Sequence, residues 1–528
     1  MQAAQWHCLE LTLTSTSAYA NPVQETELWA EFTGPTGETQ KVRGFWDGGA
    51  VWRVRFAPNA VGEWRYETSC SDAQNNGLHA QTGKFSCTPP TGETRFAQHG
   101  PVRLAANKRH LEHLDGTPFF WLADTAWNGP LRSTPQEWNQ YLHVRTRQHF
   151  SAVQWVSTQW RAAPDGDLEG GLAYTGDNSR IEINPSFFQR LDERVAATAN
   201  AGLLNVPVLL WTLGSAETQQ VNPGYSLPED QAVLLVHYMV ARWGAYPVVW
   251  ILPGDGNYGG EKATRWQRIG RAAFGHEAHA PVALHCCGMH LPAAEFRGEA
   301  WLDILGYQSG HGDSADTLQW IVTGPPAQEW RHEPRLFYIN IEPPYENHIA
   351  YQSRQPHDAH SVRRAMYWSL LNAPTAGVTY GGHGVWGWDD GATPPVDHPG
   401  SGIPLPWTDA LTMPAAEQMA ALSTFFESIR WWTLLPTPEL LAQQPGDADV
   451  HQYVLASRSQ NGDLAVVYTP IGGSIVLNAA ALPANASAVW VDPRGNGQQT
   501  APSKAEGDHI IFETPSAQDW ILCIHTSP

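Results

Sequence analysis

The chain has 528 residues, 42% hydrophobic, 11% aromatic and only 16% charged, and its 32 Lys+Arg against 52 Asp+Glu leave a net charge of −20. At ~100–200 residues per domain this length predicts several domains, or one large barrel with smaller attachments; a chain this acidic with no local basic patch excludes nucleic-acid binding, and 25 Trp with 47 Gly and 40 Pro exclude a disordered chain or a coiled coil. So many indoles among so few charges suit a globular protein that stacks something flat and weakly polar, with sugars the first candidate.

Residues 1–90 alternate at period two. Leu9, Leu11 and Leu13 mark one strand, and Leu28, Ala30 and Phe32 a second before the Gly34-Pro35 turn; Val51–Phe56, Trp64–Tyr66 and Phe85 continue the pattern. Short strands with close turns predict a β-sandwich, which Pro89-Pro90-Thr91-Gly92 ends as a linker. Ala18-Tyr19-Ala20 resembles a cleavage site, but no basic start or continuous apolar core precedes it. The chain as given reads as cytoplasmic, or as secreted if an upstream signal has been removed. No stretch approaches ~18 uninterrupted apolar residues, so no membrane span is expected. Six cysteines are too few for a disulfide scaffold, and Cys70 and Cys87 read as a free buried pair.

Across residues 91–430 short apolar runs alternate with longer amphipathic stretches, the βα signature of a parallel sheet. Eight strands are predicted, at Phe119–Ala123, Ala152–Val156, Leu204–Leu210, Val248–Leu252, Val282–Leu284, Ile304–Tyr307, Leu336–Ile341 and Gly377–Tyr380. Helices are predicted at Trp138–Arg147, Phe187–Ala199, Asp230–Trp243, Arg265–Phe274 and Ser361–Leu371. Eight such units fit one (β/α)8 barrel. An open doubly wound sheet would carry a glycine-rich nucleotide turn after its first strand, where this chain has Asp124-Thr125-Ala126-Trp127. Residues 431–528 return to period two, with strands at Leu464–Tyr468, Ala488–Val491 and Ile510–Phe512. The expected fold is multidomain α/β: a central (β/α)8 TIM barrel flanked by N-terminal and C-terminal β-sandwich domains.

Active sites of such barrels lie at the C-terminal ends of the strands. There stand Asp124 and Trp127 after the first strand, Gln154, Trp155 and Trp160 with the second, Trp211 with the third and Asp255 with the fourth. His285 follows with the fifth, Gln308 and His311 with the sixth, Glu342, Tyr345 and Glu346 with the seventh, and His383, Trp386 and Trp388 with the eighth. Asp255 and Glu342 stand out as carboxylates directly after apolar strands. Glycosidic cleavage needs one carboxylic acid to protonate the leaving oxygen and one carboxylate to attack or to activate water; the plainer alternative is that both pair with rim Arg or His residues as structural ions. Trp250, inside an apolar strand, reads as core, whereas sugar stacking and core filling weigh equally for Trp127, Trp160, Trp211 and Trp386. A metal-dependent hydrolase on this barrel would be expected to carry His-x-His after the first strand, which is absent. A lone His285 or His383 suits a hydrogen-bonding role better than a ligand role, so no metal and no cofactor is expected.

Several motifs recur in a fixed order: Asn21-Pro22, Gly44-Phe45-Trp46-Asp47-Gly48, Arg53-Val54-Arg55-Phe56 and Gly62-Glu63-Trp64, then Phe119–Trp127, Gln154, Trp250–Asp255, Tyr307–His311, Glu342-Pro343-Pro344-Tyr345-Glu346 and Tyr380–Trp386. As an ordered set spanning the chain they resemble the apiosidase-like glycoside hydrolases. The resemblance implies an N-terminal immunoglobulin-like domain, a (β/α)8 barrel and a C-terminal β-sandwich of collagen-binding type. It also implies a retaining mechanism with Asp255 as acid/base and Glu342 as nucleophile. Both Glu342 and Glu346 belong to the matched motif; Glu342 is preferred because it ends its strand, while Glu346 sits in the loop. Pro253 departs from the Gly-Gly-Asp pattern usual after the fourth strand, and Asp255 is shorter than the glutamate that related barrels carry there.

The resulting expectation is an exo-acting retaining glycoside hydrolase that takes an oligosaccharide or glycoside from a plant or bacterial glycan and removes a terminal sugar, such as the pentofuranoses apiose or arabinose. Asp124, Gln154, His285, Gln308, Tyr345, Glu346 and His383 are expected to hold the sugar hydroxyls, and Trp127, Trp160, Trp211 and Trp386 to wall the pocket. The alternative from another class is a non-catalytic glycan-binding protein on a degenerate barrel.

Overall fold

The computed structural model describes residues 1–483 and 486–526. Its N-terminal part opposes two sheets. One has five strands, in spatial order Gln2–Ala4, Thr82–Thr88, Gly62–Cys70, Leu28–Thr33 and Thr39–Arg43; the other has Leu9–Thr14, Val51–Phe56 and Phe45–Trp46. Alternation sends every second side chain inward. Ala30, Phe32, Trp64 and Phe85 from one sheet therefore meet Leu11, Val54 and Phe56 from the other, and Phe32 stacks on Phe56 at 4.0 Å. Cys70 and Cys87 are buried and free.

Eight parallel strands close the barrel: β1 Trp121–Thr125, β2 Ala152–Val156, β3 Leu204–Leu210, β4 Trp250–Pro253, β5 Val282–His285, β6 Ile304–Gln308, β7 Phe337–Glu342 and β8 Gly377–Gly381. β1 pairs with β8 from Trp121–Gly377 to Thr125–Gly381, which removes the sheet edges. The first strand begins at Trp121 because Pro118–Phe119 pairs instead with Leu111–His113 in a separate small sheet. Around the barrel lie α1 Pro135–Arg147, α2 Pro185–Asn200, α3 Glu229–Trp243, α4 Glu261–Phe274, α5 Ala315–Thr323, α6 Ala359–Leu371 and α7 Pro414–Glu427. The five helices predicted from apolar spacing start one to four residues earlier than that spacing indicates, because a polar first turn carries no periodic signal. In α1, Thr134 and Glu137 cap each other reciprocally with Pro135 in the first turn.

The C-terminal part opposes a six-stranded and a three-stranded sheet around Val467, Ile475, Trp490, Phe512 and Leu522. Buried ions join both outer parts to the barrel. Arg242 on α3 binds Asp47 and Asp192 at 2.8 Å each, and Arg363 on α6 makes a bidentate pair with Asp519, 2.7 Å on each branch. Among the described residues no helix is long and apolar enough to cross a membrane.

Candidate active site

A cleft of about 360 Å³ opens among the segments that follow the barrel strands, and both Asp255 and Glu342 line it. Asp255 arrives two residues past β4. Gly254 makes that turn possible, since a Cβ there would lie 2.8 Å from both Trp211 Cε3 and Val208 Cγ1. Asp255 is 5% exposed, and its Oδ1 is buried with no partner among the described residues.

The direction of Glu342 depends on a bulge. β6 and β7 pair Tyr307 with Asn340 and then Gln308 with Glu342, which makes Ile341 an extra residue on β7. Asn340 points outward and donates to Ser369 Oγ on α6 at 3.0 Å. In a regular strand Glu342, two residues on, would share that outward face. The extra residue turns it inward beside Gln308, so both line the cleft.

Two histidines grip the Glu342 carboxylate. His311 Nε2 lies 3.1 Å from Oε1, and the wholly buried His285 has Nε2 3.1 Å from Oε2. The Tyr345 backbone N–H donates to His311 Nδ1 at 3.3 Å, which leaves Nε2 as the nitrogen that donates to the glutamate. His348 stacks on His311 at 4.1 Å and holds its plane.

These surroundings drive the two carboxyls apart. Burial pushes Asp255 up to about 6; His285 and Arg161 oppose the rise, and the negative charge of Glu342 adds to it. Burial would raise Glu342 as well, but the close approach of His285 and the hydrogen bond from His311 hold it well below the usual carboxylate range. One proton donor and one carboxylate thus face the same cleft, a separation of roles that glycosidic cleavage can use.

Of the other residues predicted for the site, Trp127, Trp160, Trp211, Gln308, Tyr345 and Trp386 line the cleft. Trp127 Nε1 donates to Tyr345 Oη at 3.1 Å, joining the segments after β1 and β7. Five predicted residues do not line it. Asp124 points outward from β1 to α1, where Tyr141 Oη and Arg145 Nε donate to its Oδ2 at 2.7 Å each. Gln154 lies below the cleft and donates to Thr125 Oγ1 at 2.9 Å and to the Ile341 carbonyl at 2.8 Å. His285 lies behind the cleft wall, against Glu342 and packed on the Trp127 and Trp211 rings at 5.7 and 6.0 Å, and His383 accepts from Trp386 Nε1 at 3.1 Å.

Glu346 caps α7. It accepts from the Ala415 N–H at 2.9 and 3.0 Å, from the Ala416 N–H at 3.3 Å and from Tyr380 Oη at 2.7 Å, where the helix N-terminus favours a carboxylate. Trp155 and Trp388 lie behind the rim: Trp155 packs on Trp243 at 5.4 Å and Trp388 stacks on Trp407 at 4.3 Å.

Arg161, His348, Tyr351 and His398 also line the cleft and come from long loops whose sequence has no period to read. His311 was signalled by its place after the sixth strand and by the Tyr307–His311 motif, though not as a partner of Glu342. Among the described residues no group of three His, Cys, Asp or Glu side chains is arranged to hold a metal ion.

A solved structure named "Glycoside hydrolase" matches with a TM-score of 0.72 at 21% identity, over 83% of this chain and 99% of its own. A glycoside hydrolase family 5 protein from Bacteroides vulgatus ATCC 8482 matches with 0.72 at 20% identity, over 83% and 95%. At these identities the likeness establishes the fold. No curated protein matches the chain. Three family models match in chain order: "Domain of unknown function (DUF5060)" over residues 2–71, "Apiosidase-like, catalytic domain" over residues 105–433 and "Putative collagen-binding domain of a collagenase" over residues 435–525. The second of these takes in more than half of the chain, the whole barrel and both carboxyls of the cleft, and on that match the chain belongs to the apiosidase-like family of glycoside hydrolases.

Proposed function

We propose that this glycoside hydrolase is exo-acting and retaining, and that it removes a terminal pentofuranose such as apiose or arabinose. The observation that carries the reading is the pair of carboxyls in one cleft with opposed proton affinities, Asp255 raised to about 6 and Glu342 depressed. Ionised Glu342 attacks the anomeric carbon while the bond to the leaving oxygen breaks, and Asp255 gives that oxygen its proton. Asp255, now a carboxylate, takes a proton from water, whose oxygen attacks the anomeric carbon and releases Glu342. Terminal action is supported by the size of the cleft, about 360 Å³, near the lower end of the ~300–1,000 Å³ usual for small-molecule sites. Four indoles wall it, and Arg161 touches His398, which ties the loop after β2 to the loop after β8. The family's name supports the pentofuranose.

The test pairs the parent with Glu342→Gln and Asp255→Asn on aryl pentofuranosides and plant oligosaccharides, following reducing-end release and the anomeric configuration of the first product by NMR. Release by the parent alone, with retained configuration, is expected. An inverted first product would remove Glu342 from the nucleophile role. Binding by the parent without release would instead identify a glycan-binding protein.

A further inference from the structure

Among the described residues that line the catalytic cleft three are exposed, Leu213 (39%), Gly288 and Tyr351 (55%), and they mark its mouth. The opposite side is closed. There the segment that leaves β8 reaches past β1 and is fastened to the segments after β2 and β3. Asp397 accepts from the Ser215 N–H at 3.1 Å and from Thr218 Oγ1 at 2.7 Å. Arg161 donates to His398 Nε2, and the His398 ring packs on Trp386 at 4.9 Å and on Trp160 at 6.5 Å.

The open side belongs to Asp255. In the closed barrel β4 stands between β3 and β5, and Leu213 and Gly288 come from the segments that follow these two neighbours. Both are fixed to the chain around Asp255. Thr212 Oγ1, one residue before Leu213, donates to the Asp255 carbonyl, and the N–H of Cys287, one residue before Gly288, donates to the Gly256 carbonyl at 2.8 Å. A general acid must lie within hydrogen-bond reach of the oxygen it protonates, so a group attached to that oxygen extends into this opening.

Gly310, beside Gly288 in the lining, has φ +74°, a conformation that calls for glycine. Gly288 has no such need. Its φ lies outside the left-handed region, and a Cβ added there would meet only the Gly310 Cα, at an ordinary 3.9 Å. Neither backbone nor packing demands glycine at 288, and what its missing side chain leaves is room at the mouth. Tyr351 supplies a fixed ring at the same opening. Its N–H donates to the His311 carbonyl at 3.1 Å, and the ring stands edge-on to His311 at 5.8 Å and to His348 at 5.9 Å. An aromatic ring held in this way offers a flat apolar face to another ring.

We propose that the leaving group of the hydrolysed glycoside binds at this mouth, as a ring with an apolar face lying across Gly288 against Leu213 and Tyr351, and that the absent side chain at Gly288 is what admits it. The proposal rests on Asp255 as the proton donor.

The test compares the full-length parent with Gly288→Leu and Tyr351→Ala on one sugar carrying three leaving groups: fluoride, too small to fill the mouth, phenol, and a second sugar unit. The sugar is whichever the parent releases fastest from a panel of phenyl glycosides and disaccharides, so a sugar other than a pentofuranose overturns only the substrate named above. Each variant is expected to lower the ratio of kcat/KM on a ring leaving group to kcat/KM on the fluoride by at least about tenfold. A fall with phenol alone identifies an aryl leaving group, and a fall with the disaccharide alone a sugar. The proposal is overturned if either variant, once shown to be folded, leaves both ratios unchanged, or if the parent hydrolyses the fluoride but neither ring-bearing substrate. Asp255→Asn tests the reading beneath it and should lose the phenyl glycoside more than the fluoride, which departs without a proton. Equal losses there, with the ratio still falling in Gly288→Leu, would remove Asp255 from the acid role and keep the mouth as the leaving-group site.

Discussion

His311 Nε2 lies 3.1 Å from Glu342 Oε1, with the other ring nitrogen of His311 already engaged by the Tyr345 N–H. The bond favours the ionised glutamate. In His311→Ala the Glu342 pKa should therefore rise, and since attack needs the carboxylate, activity at the acidic end is lost first. A hydrogen bond to a charged group contributes about 1.5–3 kcal/mol, so the acidic limb of the kcat/KM profile should move up by roughly one to two pH units. A limb unmoved in a folded variant would show that His311 does not tune Glu342.

Asp255 should set the opposite limb. Its carboxyl must be protonated to deliver the proton, and its pKa lies at about 6, so activity should fall as pH rises through about that value. Glu342→Gln removes the neighbouring negative charge and should lower the Asp255 pKa, which carboxyl ¹³C NMR titration reads directly. Asp255→Asn should reduce kcat by about 10²–10⁴, the usual contribution of a positioned general acid.

Glu346→Gln separates the two glutamates of the shared motif. The amide keeps an acceptor for the Ala415 N–H, so turnover should stay within about tenfold of the parent, equivalent to about 1.4 kcal/mol, whereas Glu342→Gln should abolish it. Glu346→Ala uncaps α7 and should cost about 0.5–2 kcal/mol in thermal or urea unfolding.

Asp124 and Arg145 form an ion pair at 2.7 Å with neither side chain exposed. Arg145→Met leaves a buried carboxylate without its cation and should destabilise the barrel by about 3–5 kcal/mol. Replacing both, as Asp124→Leu with Arg145→Met, should recover most of that loss. Thermal unfolding of the three proteins checks the order, and activity per folded molecule should be unchanged if Asp124 touches no substrate.

The strand and helix pattern was legible in the sequence because periodicity is local: β2 and β3 coincide with the apolar runs Ala152–Val156 and Leu204–Leu210, and strands of both outer domains follow the same alternation. The rim was legible for the same reason, since a residue just past a barrel strand stands at the mouth whatever its neighbours. The orientation of each rim side chain was not. Asp124 follows strand parity out to α1, while Glu342 escapes that parity only through the register slip between β6 and β7. Glu346 turns away toward backbone amides 69 residues further along the chain, and Arg161 meets His398 across 237 residues.

The 25 tryptophans divide along the same line. Composition raised only the expectation of a chain that stacks something flat, and local pattern assigned most indoles to strands, helices or rim. Packing then put Trp127, Trp160, Trp211 and Trp386 into the cleft wall and drew Trp155 and Trp388 behind it. The sequence by itself determined the barrel, its flanking sheets and the two carboxyls; the tertiary structure decided which groups face one another, because a side chain's direction and partners are set by contacts between segments far apart along the chain.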